Sequence, residues 1–139
     1  MSSPVFVDGF KASEFFELMY TLWPTKSAEE QAKFFKQVNA IFQIEVTAGG
    51  KKQAWVIDLK TKSEGKPIVS KGTAQEAGKK ADLTITVNDD TFVDMATGKL
   101  NGQKAFLSGK LKVKGNMMLA TKLEPVFKEA QKDIPKSKL

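Results

Sequence analysis

Residues 42–59 impose a β-hairpin before anything else in the chain can be placed. Phe42, Ile44 and Val46 alternate with Gln43, Glu45 and Thr47, so an extended segment there has one apolar and one polar face. Gly49-Gly50 follows, a pair able to take the positive φ angles of a two-residue hairpin turn. The return segment carries Trp55, Ile57 and Leu59 to the apolar side, with Val56 and Asp58 opposite. A lone hairpin is barely stable in water, so this one needs further strands and a cover for its apolar face.

Helical periodicity flanks the hairpin on both sides. Phe15, Leu18, Met19, Leu22 and Trp23 recur at i, i+3, i+4, i+7 and i+8, with Glu14, Glu17 and Thr21 opposite, which predicts an amphipathic helix ended by Pro24. Residues 1–10 read as a short arm before it. Ser27-Ala28-Glu29-Glu30 fits a capping box opening a second helix, which offers Phe34, Phe35 and Val38 to the core. Beyond the hairpin, Lys60 to Lys66 reads as a loop, Pro67-Ile68-Val69 as the start of a third strand and 72–81 as a flexible turn. Leu83, Ile85 and Val87 alternate with Thr84 and Thr86 in a fourth strand.

Short helices then return. Asn88 is the expected N-cap of one, with Asp89 and Asp90 at the positive end of its dipole and Gly98 past its end. Phe92, Val93, Met95 and Ala96 form its apolar side. Asn101 caps a second short turn with Ala105, Phe106 and Leu107, closed by Gly109. Lys110 to Lys114 is a fifth strand with Leu111 and Val113 on one face and three lysines on the other. Asn116 caps a last helix through Met117, Met118, Leu119 and Leu123, and Pro125 kinks it or starts another. Strands grouped between helices predict an α+β fold with a five-stranded, mainly antiparallel sheet covered on one face by helices. One domain over residues 1–130 and a tail over 131–139 account for the 139 residues.

Composition removes most catalytic chemistry. There is no Cys, His or Arg, and all 22 basic side chains are lysines. Disulfides, thiol nucleophiles and the triads that use His as general base are excluded, as is His- or Cys-ligated metal. Asp82, Asp89, Asp90 and Asp94 are the candidate acids and bases, but helix N-terminal charge explains most of them. The glycines and lysines of Gly109 to Gly115 lack the spacing of a phosphate-binding P-loop. No stretch approaches the roughly 18 apolar residues of a membrane span, and MSSPVFVDGF has no signal-peptide pattern; a soluble, non-secreted protein is expected.

The net charge of +6 favours anionic partners at long range, or simply a solvated surface. Lys110, Lys112 and Lys114 could meet phosphates or protect a sheet edge. Nucleic acid is not expected, because the aromatics that would stack bases (Phe42, Trp55, Phe92 and Phe106) belong to core faces. Met95, Met117, Met118, Phe92 and Phe106 are many soft side chains for so few helical turns. They suit either an ordinary core or a pocket for apolar ligands.

Residues 81–123, ADLTITVNDDTFVDMATGKLNGQKAFLSGKLKVKGNMMLATKL, resemble the sterol carrier protein-2 domain, the non-specific lipid-transfer family. The matching features are the strand Asp82 to Asn88, Thr97-Gly98-Lys99, Gln103 to Phe106, Gly109 to Met117 as GKLK-x-x-GNM, and Lys122-Leu123. The hairpin segment QAWVIDLK, residues 53–60, matches too. Where many members read Asn-Pro-Gln, this chain has Asn101-Gly102-Gln103. The resemblance implies an apolar tunnel between sheet and helices, and non-catalytic binding and transfer of fatty acids, fatty acyl-CoAs, phospholipids or sterols without a cofactor or metal. Carried over by position, the tunnel wall is Ile85, Val87, Phe92, Met95, Ala96, Phe106, Met117, Met118 and Leu123, with Gln103 facing a head group. A related implication is an accessory that presents acyl-CoA to peroxisomal β-oxidation enzymes.

Ser137-Lys138-Leu139 is the tripeptide read by a peroxisomal import receptor. The residues before it hold one isolated apolar side chain, Ile134, so the tail is expected to be mobile or loosely docked. The combined expectation is a peroxisomal matrix protein, with a cytosolic pool, that carries lipid and touches anionic membrane surfaces transiently.

Overall fold

The computed structural model describes residues 5–60, 68–100, 102–115, 117–122 and 128. Helices α1 (Ala12–Leu22) and α2 (Ala28–Val38) precede strands β1 (Ile41–Ala48), β2 (Lys51–Asp58), β3 (Val69–Lys71) and β4 (Leu83–Asn88). Helices α3 (Asp89–Ala96) and α4 (Gly102–Leu107), strand β5 (Leu111–Gly115) and a 3-10 segment, Met117–Lys122, follow. The sheet order is β3-β2-β1-β4-β5. Three neighbouring pairs are antiparallel, while the central β1–β4 pair is parallel, so the sheet is mixed. Among the described residues no helix is long and apolar enough to cross a membrane.

Gly49 and Gly50 close the β1–β2 hairpin with φ of 54° and 84°, the double left-handed turn that matches strand twist. Strand registry sets the inward side chains in rows. Trp55, Ile44, Ile85 and Val113 lie side by side across β2, β1, β4 and β5, and Val46, Val87 and Leu111 form the next row.

Over β2 and β1 the cover is dense. Phe16 stacks between Trp55 (4.6 Å, 15°) and Phe92 (5.1 Å, 21°), with Phe10 edge-on to Trp55 and Phe15 edge-on to Phe92. Such ring pairs contribute roughly 0.5–1.5 kcal/mol each beyond the area they bury. The buried stripe of α1 is Ala12, Phe15, Phe16 and Met19, continued by Trp23, while Leu18 and Leu22 are only half-buried. Ala12 and Ser13 are fully buried too, Ser13 Oγ against the backbone of Val7, and Phe16 rather than Leu18 turns inward onto Trp55.

Three other expectations need correction. The face of β2 expected to be wet is covered: Val56 and Asp58 are buried, and Val56 clusters with Ile41 and Ala74. The cover is the 72–81 turn, which is not a loose one. Thr73 and Glu76 cap each other reciprocally, Lys79 N–H donates to Ala74 O, and Lys79 Nζ reaches Asp58 Oδ2 at 2.6 Å. The expected arm is partly packed too, since Trp55 Nε1 donates to Val5 O at 2.7 Å and both Val5 and Phe10 are buried. The predicted caps at Ser27 and Asn88 form, with their side-chain oxygens accepting from Glu30 N (3.1 Å) and Asp90 N (2.9 Å). Asn101, Asn116, the start of the third strand at Pro67, Pro125 and the tail 131–139 lie outside the described residues.

Candidate functional site

The sheet rows run from a closed end to an open one. At β2 the inward side chain, Trp55, is buried under an aromatic stack; at β5 its counterpart Val113 is only half-buried. The difference lies in what covers each end. Over β1 and β2 sit the large rings of α1 and α3. Against β5 packs α4, whose described side chains include one buried residue, Ala105. Leu100, Leu119 and Val113 are only partly buried against the core. The 3-10 segment that carries Leu119 is tied back to α2 by Lys122 Nζ, 3.5 Å from Val38 O.

Five of the expected wall residues come together in one core: Ile85 and Val87 on β4, and Phe92, Met95 and Ala96 on α3. Phe92 is engaged in the aromatic stack with Phe16 and Phe15. Phe106 and Met118 are placed differently, 39% and 78% exposed at the surface. Their elements are too short to bury every apolar side chain: α4 has six residues, and a 3-10 segment gives 117–122 no continuous apolar stripe. The side chains of Gln103 and Met117, all of Leu123, and Ser137, Lys138 and Leu139 lie outside the described residues.

The described ion pairs involve other residues. On the polar face of the sheet, Lys52 Nζ meets Glu45 Oε1 at 2.8 Å and Gln43 Nε2 donates to Glu45 Oε2 at 2.8 Å. The Lys52 hydrogen bond is the largest influence holding the Glu45 carboxyl below its ordinary value. Three of the four expected acids, Asp82, Asp89 and Asp90, make structural contacts. Asp82 accepts from Ile41 N at 2.9 Å, and the Asp89 carboxylate accepts from Lys11 N and Ala12 N, both at 2.8 Å. Asp89 therefore caps α1 as well as opening α3, a role across 78 residues that no local pattern announces. Lys11 Nζ pairs with Asp90 at 3.1 Å, and that bond raises the Lys11 pKa. Among the described residues no cluster of carboxylates could hold a metal ion.

Gly115 gives the GKLK-x-x-GN motif a physical reason. Its φ is 116°, and a Cβ there would stand 2.6 Å from Asp82 O and 3.3 Å from Leu83 Cα. Only glycine lets the end of β5 lie this close to the start of β4.

Comparison with known proteins decides the assignment. The profile of the SCP-2 sterol transfer family matches residues 21–128, which span all five strands and α3. The chain belongs to this family. It is 43% identical over 124 residues to oleate-induced peroxisomal protein POX18 of Candida maltosa, covering 88% of this chain and 91% of that protein. It is 37% identical over 130 residues to a fatty acid-binding protein of Yarrowia lipolytica, covering 92% and 97%. To peroxisomal multifunctional enzyme A of Dictyostelium discoideum it is 45% identical over 122 residues, which are 88% of this chain but only 25% of that protein. Among solved structures, apo sterol carrier protein 2 of Yarrowia lipolytica superposes with a TM-score of 0.79 at 35% identity, covering 93% of this chain and 98% of that one. Sterol carrier protein-2 of Aedes aegypti in complex with palmitate gives 0.60 at 26% identity, covering 84% and 94%.

The family assignment agrees with the α+β architecture expected from the strand pattern. Residues that the sequence pattern does not single out are Phe16, which stacks on Trp55 over β2, and Leu100, which is partly buried against the core. Phe16 follows Phe15 directly, and one-residue shifts around a helix are invisible to an i, i+3, i+4 count when both neighbours are apolar.

Proposed function

We propose that the chain is a non-catalytic lipid carrier that takes up fatty acids, fatty acyl-CoAs, phospholipids or sterols and transfers them between membranes. The family match over residues 21–128 carries this reading. The names of the fatty acid-binding relative and of the palmitate-bound neighbour support an acyl chain as ligand. We assign the ligand compartment to the open side of the sheet. Ile85, Val87, Met95 and Ala96 form its floor, Phe92 its closed end, and Phe106, Met117, Met118 and Leu123 its movable rim, with Gln103 toward the head group. In the described apolar layer a ligand enters by spreading α4 and residues 117–122 from β5, since the aromatic stack blocks the β2 side. With no Arg in the chain, an acidic head group is met by lysine, backbone N–H groups or solvent.

Lys110, Lys112 and Lys114 steer the carrier to anionic membrane surfaces, which makes transfer faster to anionic vesicles and slower in salt. Relatives named as peroxisomal support a peroxisomal location. Within that location we assign the protein to the matrix, with a cytosolic pool before import and Ser137-Lys138-Leu139 as the receptor's address. A second reading, presentation of acyl-CoA to β-oxidation enzymes, is favoured by one observation: the matching part of the Dictyostelium relative is a quarter of a multifunctional enzyme.

Displacement of a fluorescent fatty acid by palmitate tests the carrier reading. Saturable displacement in the micromolar range, about 8 kcal/mol of binding, is expected. No displacement from a chain with native circular dichroism refutes it. Acceleration of a β-oxidation enzyme by the loaded carrier, beyond that given by free acyl-CoA, would favour presentation over transfer.

A further inference from the structure

Helix α4 buries almost none of the surface described for it. Ala105 points inward, whereas Lys104, Phe106, Leu107 and Ser108 are exposed. Leu107 is 75% exposed and is one of three large apolar side chains so placed among the described residues. The turn behind it is well defined. Gly109, at φ 79°, ends the helix so that Lys110 N–H donates to Ala105 O (2.9 Å) and Gly109 N–H to Phe106 O (3.2 Å). This is the paired closure of a Schellman motif. Ser108 adds N–H to Lys104 O (3.0 Å) and Oγ–H to Ala105 O (3.2 Å). An apolar pair is therefore held outward at a tip, with Lys104 before it and Lys110 after it.

The surrounding charge has one sign. From Lys99 to Lys122 the chain has six lysines and no acid. Among the described residues no ion pair engages Lys99, Lys104, Lys110 or Lys112. Outward apolar side chains ringed by ammonium groups match the interface of an anionic bilayer. Acyl chains there accept Leu and Phe, and head-group phosphates or carboxylates meet the lysines. Nucleic acid would use the lysines but leave Leu107 without a counterpart.

We propose that the α4 tip, Phe106 and Leu107 with Lys104 and Lys110, inserts into the interface of anionic membranes and is the point at which the carrier touches them. The assignment rests on the lipid-carrier reading and adds to it. Since α4 packs on β5, insertion brings the half-covered edge of the sheet to the bilayer and pulls on the element that covers it.

The chain has no cysteine, so Leu107→Cys is a unique attachment point for an environment-sensitive thiol dye. Gln75→Cys, on the exposed turn over β1 and β2, is the control. The Leu107 label should shift to the blue with phosphatidylcholine–phosphatidylserine vesicles and stay unchanged with phosphatidylcholine alone, while the Gln75 label responds to neither. Leu107→Ser should weaken partition to the anionic vesicles by about tenfold, and Lys104→Gln with Lys110→Gln should remove most of its salt dependence. Leu107→Ser should still displace fluorescent fatty acid in solution. If neither parent nor variant displaces it while the Leu107 label still inserts, the carrier reading fails and the docking site stands. No shift at Leu107, an equal shift at Gln75, a shift produced by protein concentration alone through a second copy, or one produced by nucleic acid would each overturn the proposal.

Discussion

Replacing Asp89 tests whether the N-terminal helix is held by a cap supplied from the other end of the domain. Lys11, the residue before α1, has helical φ and ψ and no capping side chain of its own. Its N–H and that of Ala12 both end on the Asp89 carboxylate at 2.8 Å, and Asp89 is only 6% exposed. Asp89→Ala leaves two N–H donors with no acceptor in a place water reaches poorly, at about 1–3 kcal/mol each before relaxation. It also removes a negative charge from the positive end of α1, a further ~0.5 kcal/mol. Water entry returns part of this, so a net loss of about 3 kcal/mol is expected. For 139 residues that lowers the melting temperature on the order of 10 °C. Asp90→Ala is the contrast. Its pair with Lys11 is solvent-exposed on both sides, so the change should leave the urea midpoint nearly unchanged. Urea denaturation at neutral pH reads both. Equal midpoints for the two variants would refute the trans cap and make the Asp89 contacts incidental.

Ser13→Ala removes a hydroxyl that donates to Val7 O (2.6 Å) and accepts from Val7 N (3.0 Å); it should cost about 1–2 kcal/mol and raise hydrogen exchange at Val7. Gly115→Ala drives a Cβ into Asp82 O at positive φ and should cost roughly 2–3 kcal/mol, seen as a lower urea midpoint. Glu45 has a lowered folded pKa, so its contribution is full above the ordinary value of 4.5 and is lost as pH falls through the lowered one. Lys52→Gln should flatten that part of the acid-stability curve by moving the folded pKa back up. Deleting Ser137 to Leu139 should shift a tagged protein from peroxisomes to cytosol with the melting temperature unchanged; continued import would remove the tripeptide as address.

What the sequence makes legible here is what short-range physics controls. The alternation of β1, β2 and β4, the Gly49-Gly50 turn and the Ser27 and Asn88 caps each depend on residues within a few positions of one another. Burial on the second face of the sheet depends on a segment distant in sequence. Val56 and Asp58 read as outward because a β-strand pattern reports alternation, and what covers the outward side is the turn at 73–79. The parallel β1–β4 pairing is equally non-local, since nothing in either strand says which neighbour it takes. The rotation of α1 that buries Phe16 goes with its stacking between Trp55 and Phe92, two rings distant in sequence that a count within the helix does not see.

The candidate site divides along the same line. Ile85, Val87, Phe92, Met95 and Ala96 belong to elements with a full period of strand or helix, so their inward direction follows from pattern alone, and the structure gathers all five. Phe106 and Met118 belong to elements of six residues each, where being apolar does not decide being buried. That difference fits the chemistry expected of a lipid carrier. A wall that must admit and release an apolar molecule needs a rigid floor and a rim whose side chains gain little by staying closed. The closed end of the proposed compartment is built by long-range packing of Phe16, Trp55 and Phe92, which a ligand could not displace without unstacking three rings. The proposed rim is α4 and residues 117–122, each attached by few buried side chains among those described, with Ala105 the one fully buried anchor described in α4. Enlarging that anchor separates the two roles: Ala105→Leu should prop α4 off β5, costing about 1–3 kcal/mol of stability from overpacking. The same change should speed fatty-acid dissociation in stopped-flow displacement. Slower dissociation, or none of the stability cost, would mean that α4 does not gate the compartment.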